Sequence, residues 1–185
     1  PRSTLDRSSA ASDVYKRQLL SNSFMASEYN IQVVSTPLEL QKVLELRVEV
    51  FVLEQAVPED EEIDALDTVE AIENGQVIHV IVSEGGLAIG TARLILEGSK
   101  SQSGDVSDFP HIGRVAVKKT MRRKGIGEIL MVKLHQLANS RGFIGVTLSA
   151  QIQATPFYTQ LGYIKRGSVY DDVGIPHQDM DLIFC

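Results

Sequence analysis

The stretch Gly113-Arg114-Val115-Ala116-Val117-Lys118-Lys119-Thr120-Met121-Arg122-Arg123-Lys124-Gly125-Ile126-Gly127 passes from a β-rich run into a basic turn with two closely spaced glycines. The residues from about Gly125 to Ser140 then read as a helix, with Gly142 as its stop signal. A strand that feeds a helix through such a turn aims the free N–H groups and the positive dipole end of that helix at one point, which is an anion site. Glycine lets the backbone approach an anion with no Cβ in the way. Arg122, Arg123 and Lys124 add positive charge nearby. The turn therefore reads as a pyrophosphate cradle. A dinucleotide fingerprint needs a third glycine where Leu130 stands, and a P-loop needs Gly-Lys-Ser/Thr where Gly127-Glu128-Ile129 stands, so neither motif fits. The plainer alternative is a basic turn whose glycines only form the turn.

On the N-terminal side, Ile31–Val34 suits a strand, and Thr36-Pro37 opens a helix that carries Leu38, Leu40, Val43, Leu44 and Leu46 at helical spacing through Glu49. Pro58-Glu59-Asp60-Glu61-Glu62 reads as a loop entering a short acidic helix. Val77–Val82 and Leu87–Leu96 are β-rich runs separated by the hairpin signal Gly85-Gly86. Residues 98–110 form a polar loop ahead of a strand over Ile112–Val117. On the C-terminal side, the pattern predicts a strand over Val146–Ser149, a short helix over Thr155–Leu161, and strands over Tyr163–Val169 and Met180–Phe184. No internal repeat is visible. This order implies one α/β (α+β) domain around a mixed sheet.

Composition narrows the function classes. The chain has 185 residues, 43% hydrophobic and 23% charged, which is enough to bury a core and argues against disorder. A single cysteine, Cys185, excludes a disulfide framework and a cysteine-based metal cluster, so no metal is expected, and it fits a reducing, cytoplasmic compartment. A net charge of −6 argues against nucleic acid as a partner. No apolar run approaches the roughly 18 residues of a membrane span. The charge is unevenly spread: residues 25–74 hold 13 acidic and 2 basic side chains, whereas residues 75–185 hold 9 acidic and 12 basic ones. A focused negative potential in the first part favours a cationic amine, the plainer alternative being an acidic solvated face. Residues 1–24 are rich in Ser and Arg and show no periodicity, and Ser8–Gln18 is similar to translated adaptor sequence. The native protein is therefore expected to begin at Met25, with 25–185 as its single domain; a disordered native extension is the other reading of 1–24.

A second block, Val146-Thr147-Leu148-Ser149-Ala150-Gln151-Ile152-Gln153-Ala154-Thr155-Pro156-Phe157-Tyr158-Thr159-Gln160-Leu161-Gly162-Tyr163, follows the first at a distance of one helix. Together the two blocks resemble the GCN5-related N-acetyltransferase (GNAT) family. That family has a V-x-V strand, R-x-x-G-x-G/A opening a helix, a further strand, and a helix carrying A-x-x-x-Y ahead of L-G-Y/F. Leu46 to Gln55, with Pro58, Glu62, Asp64 and Asp67, and Gly174-Ile175-Pro176-His177 are similar to the small bacterial ElaA/YjcF-type branch. The resemblance covers residues 31–184.

The resemblance implies a mixed, V-shaped sheet and acetyl-CoA as co-substrate. It implies that Val115, Ala116 and Val117 meet the acetyl-pantetheine arm by backbone, that the backbone of Arg122, Arg123, Lys124, Gly125, Ile126 and Gly127 wraps the pyrophosphate, and that Gln151, where many relatives have Asn, holds the arm by its amide. Lys118, Lys119, Arg123 and Lys124 are expected in solvent, with one of them able to meet the 3′-phosphate. Tyr158 stands where the family has a tyrosine acid, and a tyrosine is still protonated at neutral pH. Glu54, Asp172 and His177 all remain candidates for the base, imidazole being the side chain that exchanges a proton most readily near neutrality. His79, between Ile78 and Val80, is ambiguous. Glu54-Gln55 falls where the family builds its acceptor pocket. The implied activity is transfer of an acetyl group to a primary amine, with a small molecule preferred as acceptor and a homodimer possible. The alternative is a catalytically weak acyl-CoA-binding or regulatory module.

Overall fold

A computed structural model describes residues 29–184, so the expected start at Met25, the segment 1–24 and Cys185 lie outside the described residues. The first strand, β1 (Asn30–Val33), leads to α1 (Pro37–Arg47). Thr36 starts that helix by a capping box: its Oγ1 accepts the Glu39 N–H at 3.2 Å while the Glu39 carboxylate accepts the Thr36 N–H at 3.1 Å. Helical spacing extends to Glu49, but the α-helix ends at Arg47 and Val48–Leu53 continues as one wider π-helical turn. Val48, Val50 and Val52 crowd the preceding turn through their branched Cβ, and the wider turn sets Val50 beside Leu46 against Ala116 of the sheet.

Two short helices follow, α2 (Glu59–Glu62) and α3 (Val69–Glu73), and then β2 (Val77–Glu84) and β3 (Leu87–Ile95), joined at Gly85-Gly86. The strand β4 (His111–Val117) runs through the basic turn into α4 (Ile126–Ser140). After β5 (Gly145–Gln151) come α5 (Thr155–Gln160), β6 (Ile164–Asp172) and β7 (Ile175–Ile183). β7 begins five residues before the apolar run at Met180, because Ile175 and Pro176 pair with β6 and His177 and Asp179 pair with both β5 and β6.

The seven strands form one sheet in the order β1-β2-β3-β4-β5-β7-β6. Its two faces carry different helices. Along α4, Ile126, Leu130, Met131, Leu134 and Ala138 are buried against Val80, Val82, Ala92 and Leu94 of β2 and β3. On the opposite face, Leu40 and Val43 of α1 close over Val34 and Ile81. Each such leucine, taken from water, contributes about 1.5–3 kcal/mol. β2 is buried on both faces for this reason and reads as a continuous apolar run around His79.

One pairing sets the position of the site. Every neighbouring pair is antiparallel except β4 and β5, whose parallel ladder consists of His111↔Thr147 and Ile112↔Leu148. Beyond Ile112, β4 stays with β3 through Thr91↔Ala116 and Gly90↔Val117, while β5 stays with β7 through Gln151↔His177. The sheet therefore splits there, with Val115–Val117 on one wall and Ser149–Gln151 on the other. Among the described residues no helix is long and apolar enough to cross a membrane, and no group of three or more His, Cys, Asp or Glu is set to hold a metal ion.

Candidate active site

At the mouth of the split, the chain leaves β4 at Val117, makes a tight turn over Lys119–Met121, and enters α4 at Gly125. Arg123 at φ 60° and Gly125 at φ 79° are both left-handed, which turns successive N–H groups toward a common concavity. Gly125 caps α4 with no side-chain hydrogen bond, so the first-turn N–H groups stay free for an anion. Ile126 is buried and offers backbone alone, whereas Arg123 and Lys124 are exposed. The two glycines have different reasons to be glycine. Gly125 meets the left-handed conformation, but a Cβ on Gly127 would stand 3.2 Å from Cζ of Phe157. Gly127 thus leaves room for the Phe157 ring of α5 against the first turn of α4.

The β4 wall is bulged. Arg114 and Val115 face Ala92 alone between the pairs Gly113↔Arg93 and Ala116↔Thr91, and Arg114 sits at φ 51°. The bulge takes the Val115 backbone out of the ladder, at the point where β5 has already left. On the other wall, the Gln151 side chain donates to Oε1 of Gln55 at 2.7 Å and accepts from Gln153 at 2.7 Å.

Tyr158 is buried, its ring edge-on to Phe157 at 5.0 Å and to Tyr163 at 5.8 Å between centroids. Burial pushes its hydroxyl up to about 12, so it is a neutral phenol at any ordinary pH. The Tyr163 hydroxyl is 2.7 Å from Nε2 of His135, which burial pushes down to about 4 and so keeps neutral.

The candidate bases are separated. His177 pairs with Gln151 on one side and Tyr170 on the other, with the Tyr170 ring stacked at 6.2 Å. Its Nδ1 is 2.8 Å from the Ile175 carbonyl, so that nitrogen is the donor and Nε2 is not used in this contact. Asp172 lies farther out, opposite Ile175 at the hairpin end. Glu54 is drawn into the cradle instead, in a bidentate pair with Arg122 at 2.5 and 2.7 Å, and the hydrogen bonds from Arg122 hold its carboxyl below the usual range. Arg122 also donates Nε–H to the Val117 carbonyl at 3.0 Å.

A cluster that the sequence reading did not identify meets the bulge through Arg114. Arg47 is fully buried and donates to Glu62 Oε1 at 2.5 Å, to the Glu62 carbonyl at 2.5 Å, and to Asp67 at 2.6 and 2.9 Å. Arg93 grips Asp64 at 2.8 Å through both terminal nitrogens and reaches Asp67 at 3.1 Å. Arg114 pairs with Glu62 at 3.0 Å and donates to the Glu61 carbonyl at 3.0 Å. His79 lies in this cluster and not in the split: burial pushes it down to about 4, against the pull of Asp67, 3.7 Å away. His79 Nδ1 and Arg93 Nε are the buried polar side-chain atoms without a partner among the described residues. Three acidic residues of the 25–74 segment, Glu62, Asp64 and Asp67, are therefore neutralised by Arg47, Arg93 and Arg114 and add little to an outward negative potential. The sequence offered Arg47 inside an apolar helical face, and Glu62, Asp64 and Asp67 in the stretch that resembles the family branch, but nothing that paired them.

A mixed sheet split between two strands, with a basic turn leading into an uncapped helix N-terminus at its mouth, is the architecture of an α/β acyltransferase, and the comparisons agree. Residues 40–184 match the family model described as an acetyltransferase (GNAT) domain. The chain is 34% identical over 143 residues to the uncharacterized N-acetyltransferase YjcF of Bacillus subtilis (strain 168), covering 77% of this chain and 91% of that protein. The crystal structure of a putative N-acetyltransferase from Lactobacillus plantarum superposes with a TM-score of 0.71 at 26% identity, over 85% of this chain and 99% of that one. Escherichia coli ElaA superposes with a TM-score of 0.68 at 28% identity, over 83% of this chain and 98% of that one. The chain belongs to the GNAT family of N-acetyltransferases and is an acyltransferase.

Proposed function

We propose that this chain transfers an acetyl group from acetyl-CoA to a primary amine of a small molecule, by direct attack of the amine. The observation that carries this reading is the split between β4 and β5, with an uncapped helix N-terminus at its mouth and a buried tyrosine on the short helix that packs against that terminus through Phe157. The residues present fit the co-substrate. The backbone of Arg122 to Gly127 offers N–H groups to the pyrophosphate, the freed edge at Val115, Ala116 and Val117 matches an extended pantetheine arm, and Gln151 offers its amide. Bound acetyl-CoA supplies a thioester whose acyl carbon accepts the amine. The Val115 backbone, released from the ladder by the bulge, serves the oxygen that gains charge in the attack. Tyr158 holds a proton for the departing sulfur. Nε2 of His177 is open to take the proton that the amine must lose, directly or through one water. Glu54, a carboxylate at the surface beside the split, suits ion pairing with an ammonium group.

Excess acetyl-CoA is expected to raise the melting temperature while NAD and ATP leave it unchanged. Free-thiol release is expected with at least one member of a panel of diamines, amino sugars and amino acids. Absence of any acetyl-CoA shift overturns the cofactor reading. A shift without turnover on any amine overturns the proposed chemistry and favours a binding module.

The reading includes a homodimer. β6 is an edge strand with all nine residues exposed, among them Ile164 and Val169 at 74% and 54% exposure, and such an edge invites pairing. Antiparallel pairing with a second copy about a two-fold axis between Ser168 and Val169 sets Lys165 against the partner's Asp172. Neither Lys165 nor Asp172 has an ion-pair partner among the described residues. Sedimentation velocity is expected to show a dimer, weakened by Lys165→Asp or Asp172→Lys alone and restored by both together. A monomer at all concentrations refutes it.

A further inference from the structure

Three side chains from the π-helical turn and the residues just after it reach across to three different parts of the cradle and split. Glu49 pairs with Lys118 at 3.2 Å, at the end of β4. Glu54 pairs with Arg122 at 2.5 Å, in the cradle. Gln55 accepts from Gln151 at 2.7 Å, at the end of β5. The residue that follows, Ala56, is left-handed at φ 59°, so the strap turns sharply away after its last contact. The acceptor-side strap is thus tied to the Gln151 amide, which the cofactor reading uses, and to the side chain of Arg122, whose backbone that reading places in the cradle.

Arg122 has one fork to give. Its Nε is already used by the Val117 carbonyl, which fixes the guanidinium plane, and both terminal nitrogens face Glu54. The pair is roughly one-third exposed, at 37% for Arg122 and 28% for Glu54, and exposed pairs of this kind hold weakly. A pyrophosphate brings more negative charge than one carboxylate, and it would be seated on the adjacent helix N-terminus as well.

We propose that Arg122 is shared between Glu54 and the cofactor pyrophosphate, so that cofactor binding exchanges one for the other and releases the Glu54 carboxylate toward the acceptor. The acceptor side then gains a free carboxylate, complementary to an ammonium group, only when the cofactor is in place. This coupling rests on the cofactor reading above and goes beyond it, since it makes release of the Glu54 carboxylate depend on bound cofactor.

The test is a double-mutant cycle read by calorimetric titration of acetyl-CoA into the full chain, with Glu54→Gln, Arg122→Gln and the double variant. Both sites are at the surface, and circular dichroism checks the fold. Glu54→Gln is expected to tighten acetyl-CoA binding by up to about fivefold, the size of an exposed ion pair. In the Arg122→Gln background the same change is expected to have little or no effect. An equal gain in both backgrounds is a bare field effect and overturns the sharing, as does weaker binding in Glu54→Gln. Failure of the unmodified chain to bind acetyl-CoA is a separate result, which removes the cofactor reading itself.

Discussion

Arg47→Leu is expected to lower the unfolding free energy by about 3–5 kcal/mol, the cost of breaking one side of a buried ion pair. Arg47 has no exposure and supplies four hydrogen bonds to Glu62 and Asp67. Without it, Glu62 keeps Arg114, and Asp67 keeps Arg93 and the Asp64 N–H. Burial already pushes Glu62 up. It would push Asp67 up too, but the hydrogen bonds and charge of Arg47 outweigh it and hold Asp67 down to about 2. That depressed value stabilises the fold above the ordinary carboxyl range, near 3.8, and the contribution is lost as pH falls from there through about 2. Urea denaturation at pH 7 measures the loss, and the acid-induced loss between pH 4 and 2 is expected to shrink in the variant. Adding Glu62→Gln and Asp67→Asn to Arg47→Leu is expected to recover part of the stability, because the penalty is uncompensated charge. A cost below about 1 kcal/mol, the range of an exposed pair, refutes the argument.

Tyr158→Phe is expected to reduce kcat by about 10²–10⁴, the contribution of a positioned general acid. The fold and the acetyl-CoA affinity are expected to hold, since phenylalanine keeps the ring contacts with Phe157 and Tyr163. Burial raises the folded-state value of Tyr158 to about 12 from 10.0, so the hydroxyl stays a donor throughout the working range. Any alkaline fall in kcat below pH 10 therefore comes from another group and persists in the substrate-independent baseline of the variant. The sign for stability follows: the raised value stabilises the fold below pH 10, and that stabilisation is lost as pH rises from 10 through 12. A kcat within about twofold of the unmodified protein removes Tyr158 as the acid and leaves the thiolate to depart unassisted.

Locally coded features were legible. The helix start at Thr36-Pro37, the hairpin at Gly85-Gly86 and the passage from β4 through Gly125 into α4 all depend on neighbours within a few residues, and each forms where the sequence pattern puts it. The boundaries moved where a ladder or a packing partner extended or ended an element, as at β7 and at the end of α1. Gly127 was read as anion chemistry, yet its close neighbour is the Phe157 ring, thirty positions on. The Arg47 cluster was hidden because its acidic partners sit in a segment that reads as a solvated acidic face.

The amino-acid order alone was enough to specify a strand, a basic turn and a helix within a mixed α/β domain, because turn geometry, caps and periodicity are short-range, and its two motif blocks carried the resemblance to the family. The folded chain assigned the partners. Arg114 meets Glu62 across 52 positions, Arg122 meets Glu54 across 68, and Gln151 meets Gln55 across 96. No local preference encodes such contacts. They arise because α1 is laid over one face of the sheet and α4 over the other, and because β4 and β5 part after two residue pairs, leaving the π-helical turn to bridge the gap. That closure made Glu54 a partner of the cradle, when its charge and position had offered it as a base.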